Sequence, residues 1–249
     1  MIDIHTHILP NMDDGANSFE VSVELLKMEA EQGVKELVFT PHYYGKTTVQ
    51  DFLSARGEAF KKIQNAIPPG VKTRLGAEVM MTGINDPSDE SLCALAIEGT
   101  KCVLMEFPFT LRWSPLLFER VSDFIAETGY TPIIAHVERY VGVARNPFLV
   151  TQLVQMGCLI QLNSCAFTDK RLRRLALALL KHGLVHCLGS DSHDLDRRMP
   201  DYAQAKTVME RLGYEAEWKE IQWQTGKILT GETALKPYSQ VRKFGWIYY

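Results

Sequence analysis

The sequence predicts an α/β fold, a seven-stranded relative of the TIM barrel, on three observations. Short apolar runs of strand length alternate with amphipathic runs of helix length, the pattern of parallel strands joined by right-handed crossovers. Seven such units recur at roughly 30 residues each, the usual size of a strand-helix-strand step. The strand runs are nearly continuous in apolar residues, as expected where both faces of a parallel sheet are buried. At 249 residues, 46% of them hydrophobic, the chain can bury a large core. A single domain is expected over 1–249, with barrel units to about 200 and a helical part from about 201 onward.

The first strand is Ile2-Asp3-Ile4-His5-Thr6-His7. Residues two apart on a strand share a face, so His5 and His7 point the same way. The break at Pro10 opens a polar loop, Asp13-Asp14-Gly15, able to return a carboxylate over the strand end. Ser18 caps a helix running to about Gln32, with Val21, Leu25 and Met28 on one side and Gly33 as its stop. A second strand runs from Glu36 to His42, ended by Pro41, and a helix over 49–66 closes at Pro68-Pro69-Gly70. The third and fourth strands, 72–78 and 102–108, bracket a short helix over 90–97 and finish on Glu78 and around Glu106. A helix over 115–127 precedes the fifth strand, 132–136, and one over 147–156 precedes the sixth, 158–163. A helix over 169–181 precedes the seventh, 184–193, and helices near 203–212 and 216–224 follow without an eighth strand.

The balance of 30 acidic against 27 basic residues gives net charge −3 and no cationic excess for a nucleic-acid backbone or an anionic membrane. Nucleic acid is therefore not an expected partner. Five cysteines, odd in number and without C-x-x-C spacing, read as reduced thiols of a cytoplasmic protein. The start of the chain lacks the pattern of a signal peptide, and no apolar run is long enough for membrane insertion. Association with copies of itself is left open.

His5, His7, His42, Glu78, Glu106, His136, Asp191 and His193 all fall at carboxyl ends of strands, where parallel barrels build their sites. With Asp14 they make nine candidate metal ligands, five imidazoles and four carboxylates. That is too many for one ion and suits two or three, and without thiolates it favours manganese, iron, zinc or magnesium. Buried salt bridges alone would require six strand ends to collect such groups by coincidence. His182, at a helix end, and His186, of opposite strand parity to Asp191, read as structural. Cys165 to Arg171 has the spacing of cysteine-dependent tyrosine phosphatases, but it lacks the glycines a phosphate-cradling loop needs and begins a helix.

The order His5-Thr6-His7, Asp13-Asp14-Gly15, Thr40-Pro41-His42, Glu78, Glu106-Phe107-Pro108, His136-Val137-Glu138-Arg139-Tyr140 and Ser190-Asp191-Ser192-His193 resembles the polymerase and histidinol phosphatase (PHP) superfamily. Within it, Asp3 to Pro10 followed by Asp13-Asp14-Gly15 is similar to the CpsB/YwqE-type protein-tyrosine phosphatases of bacterial capsule and exopolysaccharide operons. The resemblance implies a distorted seven-stranded barrel (the PHP fold), up to three Mn2+ ions, and a bacterial tyrosine autokinase as phosphotyrosine substrate. It also implies one ion on His5, His7, Glu78 and Asp191, a second on Glu78, Glu106 and His136, and a third on Asp14, His42 and His193. Val137 and Gln224-Thr225-Gly226 depart from the family's usual residues without touching a ligand.

A hydroxide bridging metals can attack phosphorus while the ions neutralise developing charge, so no protein nucleophile is needed. Arg139 and Arg198 lie close after ligands and can grip a phosphoryl group through a planar fork, and the family's phosphate-binding arginines fall at matching positions. Asp14, Arg139 and Arg198 are the catalytic candidates, while Phe107, Phe109, Trp113 and Tyr140 are candidates to wall a phosphotyrosyl ring. The alternatives are a small-molecule phosphomonoesterase such as histidinol phosphatase on the same site, and a metal-binding regulatory barrel without turnover.

Overall fold

The computed structural model describes residues 1–82, 90–232, 236–245 and 247–249. Its main strands are β1 (Ile2–Thr6), β2 (Glu36–Phe39), β3 (His42–Tyr43), β4 (Lys72–Leu75), β5 (Glu78–Met80), β6 (Cys102–Glu106), β7 (Thr131–Ile134), β8 (Leu159–Asn163) and β9 (Cys187–Gly189). They form a curled α/β sheet: β3-β5-β6-β7-β8-β9 pair in that order as six parallel strands, and β1-β2-β4 pair beside them. The strand ladder continues between β1 and the residues after β9 through a Thr6–Ser192 bridge, with the Asp191 amide donating to the His5 carbonyl (2.8 Å) and that of His7 to Ser192 (2.9 Å).

The second and third strands expected from sequence each break in two. Pro41 offers no amide to a ladder, so β2 stops at Phe39 and β3 resumes at His42. Gly76 lies at the second break, where a Cβ would come within 3.3 Å of Ile97 and Thr40. The two breaks lie side by side, so β2 pairs with β4 and β3 with β5, which sets His42 directly beside Glu78. The seventh strand is shorter than expected, because Leu184 still bonds back to Leu179 and the ladder pairing starts only at Cys187.

The crossovers are α1 (Phe19–Glu31), α2 (Val49–Ile63), α3 (Pro115–Thr128), α4 (Val141–Arg145), α5 (Phe148–Gln155), α6 (Cys165–Thr168) and α7 (Arg173–Lys181), followed by α8 (Tyr202–Arg211) and α9 (Glu215–Leu229). Ser18, Thr48 and Ser114 cap α1, α2 and α3 by accepting backbone amides with their hydroxyls. The helix expected over 169–181 begins only at Arg173, after α6 and a turn. Beyond Leu229 the expected helical part gives way to an antiparallel pair, β10 (Lys243–Phe244) and β11 (Ile247–Tyr248).

Both faces of the sheet are buried, as the continuous apolar runs require. Ile4, Val38, Leu104, Ile133, Leu159 and Cys187 meet inside the curl, and Ile228 and Leu229 at the end of α9 join them. The alternate residues Val103, Met105, Ile134, Ile160 and Leu188 pack outward into the helical layer. In β1 the register against β2 slips between Asp3 and Thr6, three steps on β1 matching two on β2. This bulge reverses the parity, so that His5 follows Ile4 into the interior. There it abuts Gly189, where a Cβ would lie 2.3 Å from that of His5.

Behind β1 and β9 lies a buried acid pair. Asp3 accepts the amides of His5 (3.1 Å) and Ser190 (3.0 Å), and Glu29 accepts the hydroxyls of Ser190 (3.1 Å) and Ser192 (3.4 Å). Burial raises the Asp3 pKa to about 6, and burial and then Asp3 raise that of Glu29 well above the usual range. A carboxyl with a raised folded-state pKa contributes stability below its unfolded value and loses it as pH rises through the folded one. As pH rises from about 4, the thermal midpoint of Glu29→Gln should therefore fall less than that of the wild type. Parallel profiles by calorimetry would refute a raised carboxyl at Glu29.

Candidate metal centre

All nine predicted ligands come together at the carboxyl edge of the curled sheet. Four groups have ligand atoms mutually within 4.8 Å: His7, Asp14, His42 and His193; His5, Glu78 and His136; His5, His7 and Asp191; and His42, Glu78 and Glu106. Each of the nine belongs to at least one. Glu78 is the hub, with Oε2 at 3.2 Å from both His5 and His7 Nε2 and 3.1 Å from His42 Nδ1, and Oε1 at 2.9 Å from His136 Nε2. Asp14 stands apart, since 62% of its side chain is exposed while His7 and Glu78 are buried. It faces His42 and His193 at 3.7 Å.

The backbone is bent to deliver two of these side chains. Ile133 and Ala135 face the interior, so an extended continuation would turn His136 away; its φ of +30° swings it inward. Asp191 has a φ of +56°. Left-handed conformations are costly for residues with a Cβ and persist where surrounding contacts hold them. Gln161 and Asn163, on one face of β8, supply such contacts. The Gln161 Oε1 accepts the His136 amide (2.7 Å) and lies 3.3 Å from His5 Nδ1, its Nε2 donates to Asn163, and the Asn163 Nδ2 donates to Asp191 (2.8 Å).

Asp13 plays the same part on the other side. Its carboxylate accepts from His7 Nδ1 (2.7 Å), the His42 amide (2.8 Å) and the Gly15 amide (2.9 Å), leaving His7 Nε2 aimed at the cluster. Sequence reasoning singled out only Asp14 of this pair and missed Asp13, Gln161 and Asn163. The signal for the last two was available, since Leu159, Gln161 and Asn163 alternate along one strand face.

Protonation divides unevenly among these groups. Burial opposes a charge on His7, but Asp13 and then Glu78 outweigh it and lift its pKa to about 10. Burial, then the cationic His7, takes His193 down to about 2, and burial takes His42 to about 4 despite Glu78. Burial raises the Glu78 carboxyl, yet the surrounding histidines hold it well below the usual range, while burial and then Glu78 push Glu106 up to about 8. Metal binding requires every imidazole neutral and every carboxylate ionised, so such a set takes up metal with proton release.

Both arginines reach Asp191. The Arg139 Nη1 donates to Oδ2 (2.9 Å), and the Arg198 Nη2 lies 2.6 Å from Oδ1. Arg139 also sits over the Phe109 ring at 4.3 Å. Both arginines and Phe109 line a cleft of about 240 Å³ with Asp14, His42 and Glu106. The other aromatic candidates do not line it: Phe107 and Tyr140 are buried, and Trp113 packs between them, 5.4 and 5.5 Å away. Tyr140 is held there by accepting the Phe107 amide with its hydroxyl (3.0 Å). Tyr44, unnoticed in the sequence, stacks on His42 at 4.9 Å. His182 and His186 lie outside the cluster, bonded to Ser239 and to the Ile160 amide. Cys165 begins α6, its thiol pushed up to about 12 by burial, and Arg171 turns to Asp169.

A curled parallel sheet with a thiolate-free cluster of histidines and carboxylates at its carboxyl edge defines a class of α/β proteins with a candidate polynuclear metal centre. More narrowly, the chain belongs to the CpsB/CapC family of capsular polysaccharide synthesis, whose model matches residues 1–229. It is 31% identical to the tyrosine-protein phosphatase YwqE of Bacillus subtilis over 216 residues, 85% of this chain and 84% of that protein. It is 29% identical to the tyrosine-protein phosphatase CpsB of Streptococcus agalactiae, over 84% of this chain and 89% of the other. A solved structure from a study of YwqE of B. subtilis and CpsB of Streptococcus pneumoniae, described there as metal-dependent tyrosine phosphatases, superposes with a TM-score of 0.81 at 27% identity. That match covers 98% of this chain and 100% of the other.

Asp13→Asn should retain the fold but lower metal affinity by roughly 10- to 100-fold, because an amide cannot hold His7 as a charged acceptor does. Unchanged metal affinity by calorimetric titration would show that Asp13 does not orient the ligand.

Proposed function

We propose that this chain is a metal-dependent protein-tyrosine phosphatase with a site for up to three divalent ions, manganese foremost. The observation that carries the reading is the set of buried ligand atoms without a hydrogen-bond partner: His42 Nδ1, Glu78 Oε2, Glu106 Oε2 and His193 Nε2. Buried polar atoms are rarely left unpaired, and so many in one cluster fit coordination to cations. The four groups share His5, His7, His42 and Glu78 among them, which supports more than one ion, and the family resemblance would put one near His5, His7, Glu78 and Asp191, a second near Glu78, Glu106 and His136, and a third near Asp14, His42 and His193. The names of the relatives support phosphotyrosine as substrate. A bacterial tyrosine kinase of capsule or exopolysaccharide synthesis, in the cytoplasm, is the partner consistent with the family. The Thr6–Ser192 bridge supports a distorted seven-stranded barrel making one domain with the C-terminal helices.

Bound divalent ions supply Lewis-acid charge neutralisation and an acidified water. The rest falls to the protein. Arg139 and Arg198 grip the phosphoryl oxygens, exchanging their hold on Asp191 for the substrate through the same planar fork. Phe109 backs Arg139 and lies against the substrate ring. Asp14, the solvent-exposed member of the cluster, is placed to orient by hydrogen bonding the solvent water that protonates the departing phenolate. The thiol of Cys165 takes no part.

Turnover of a phosphotyrosyl peptide tests this reading, with histidinol phosphate as the competing substrate. The peptide should be hydrolysed and histidinol phosphate spared, and chelation should abolish activity that manganese restores. Cys165→Ser should leave kcat nearly unchanged. Arg139→Ala should keep its metals and lose at least about tenfold in rate, a charge-assisted contact to phosphate being worth roughly 1.5 to 3 kcal/mol. Chelator-resistant activity lost in Cys165→Ser would overturn the mechanism, and preference for histidinol phosphate would overturn the substrate.

A further inference from the structure

Three concavities share walls on the face that carries the cleft. Arg139 and Arg198 wall both the cleft and a groove of about 460 Å³, which continues past Cys165 and Thr168 to Leu172. Leu172 also walls a third concavity of about 430 Å³, whose remaining lining among the described residues includes Lys170, Arg171, Arg174 and Lys243 but no carboxylate side chain. In a chain of net charge −3, four cations around one hollow are a local excess.

The four are not equally occupied. Arg171 is paired with Asp169 at 2.7 Å, and Lys243 donates to the Ala144 carbonyl (2.6 Å) and sits 5.4 Å from the centre of the Tyr248 ring. Lys170 and Arg174 are exposed and, among the described residues, neither side chain has an ion-pair or hydrogen-bond partner. Arg174 also lies in the first turn of α7, which has no acidic residue and no side-chain cap, so its charge opposes the helix dipole. An anion seated in the hollow relieves that repulsion. Lys243 and Tyr248 come from the terminal strand pair, beyond residues 1–229 matched by the family model.

We propose that this hollow is a second substrate subsite, which binds acidic side chains of the same polypeptide whose phosphotyrosine occupies the cleft. The proposal rests on the phosphotyrosine reading above. The groove between cleft and hollow gives the peptide its path, and the cations select a segment rich in aspartate and glutamate. Small phosphoesters, which fill the cleft alone, do not sense the subsite.

The test uses the manganese-loaded enzyme and two phosphotyrosyl peptides, one with acidic flanks and one with the flanking carboxylates replaced by amides. In the double variant Lys170→Ala, Arg174→Ala, kcat/KM for the acidic peptide should fall roughly five- to tenfold, mainly through KM, as expected from losing two exposed ion pairs. Kinetics on the amide peptide and on p-nitrophenyl phosphate should stay within about twofold, and added salt should shrink the wild-type preference. Equal losses on all three substrates, or none, would overturn the subsite. Fluorescence anisotropy of the acidic peptide without its phosphate reads the subsite independently of catalysis. Weaker binding to the double variant supports the subsite even if no phosphotyrosine is turned over, and equal binding refutes it. Failure of the wild type to hydrolyse either phosphopeptide would instead refute the phosphotyrosine reading.

Discussion

One carboxylate, Glu78, sits at 1% exposure with four imidazoles within 3.2 Å, and the rest of the site is built around that crowding. Taking so many ionisable groups out of water is expensive, and mutual salt bridges do not satisfy them, since several ligand atoms remain without hydrogen bonds. Cations among them turn the same crowding into favourable coordination.

The scaffold is bent to create that crowding. The bulge in β1 turns His5 inward, the breaks at Pro41 and Gly76 set His42 beside Glu78, and left-handed turns at His136 and Asp191 point their side chains into the cluster. The distortions are held from behind: Asp3 fastens β1 to Ser190, Glu29 of α1 holds Ser190 and Ser192, Asp13 fixes His7, and Gln161 with Asn163 ties His5, His136 and Asp191 together. These supports are polar side chains bonded largely to backbone and ligand groups, which suits a site needing fixed positions.

Much of this was legible in the sequence. The alternation of strand and helix runs placed the main parallel strands, and the repeated appearance of histidine or carboxylate at strand ends marked the nine residues that the structure brings together. Local geometry was not legible. A bulge leaves no trace when the residues on both faces of β1 are buried, and nothing in Ile-Ala-His announces a positive φ at His136. Asp13 and Asp14 are chemically identical neighbours, and only the fold decides that one orients a histidine while the other faces solvent. Phe107, Trp113 and Tyr140 follow ligand strands as a substrate wall would, but their size draws them into the core and leaves the cleft to Phe109.

Metal stoichiometry tests the central claim most directly. Elemental analysis of the native chain purified with manganese should find more than one ion per chain and up to three. Glu78→Ala should lose ions from two positions at once, because one carboxylate serves both. A native chain that holds no ion or a single ion, or a Glu78→Ala variant with undiminished metal content, would contradict the account.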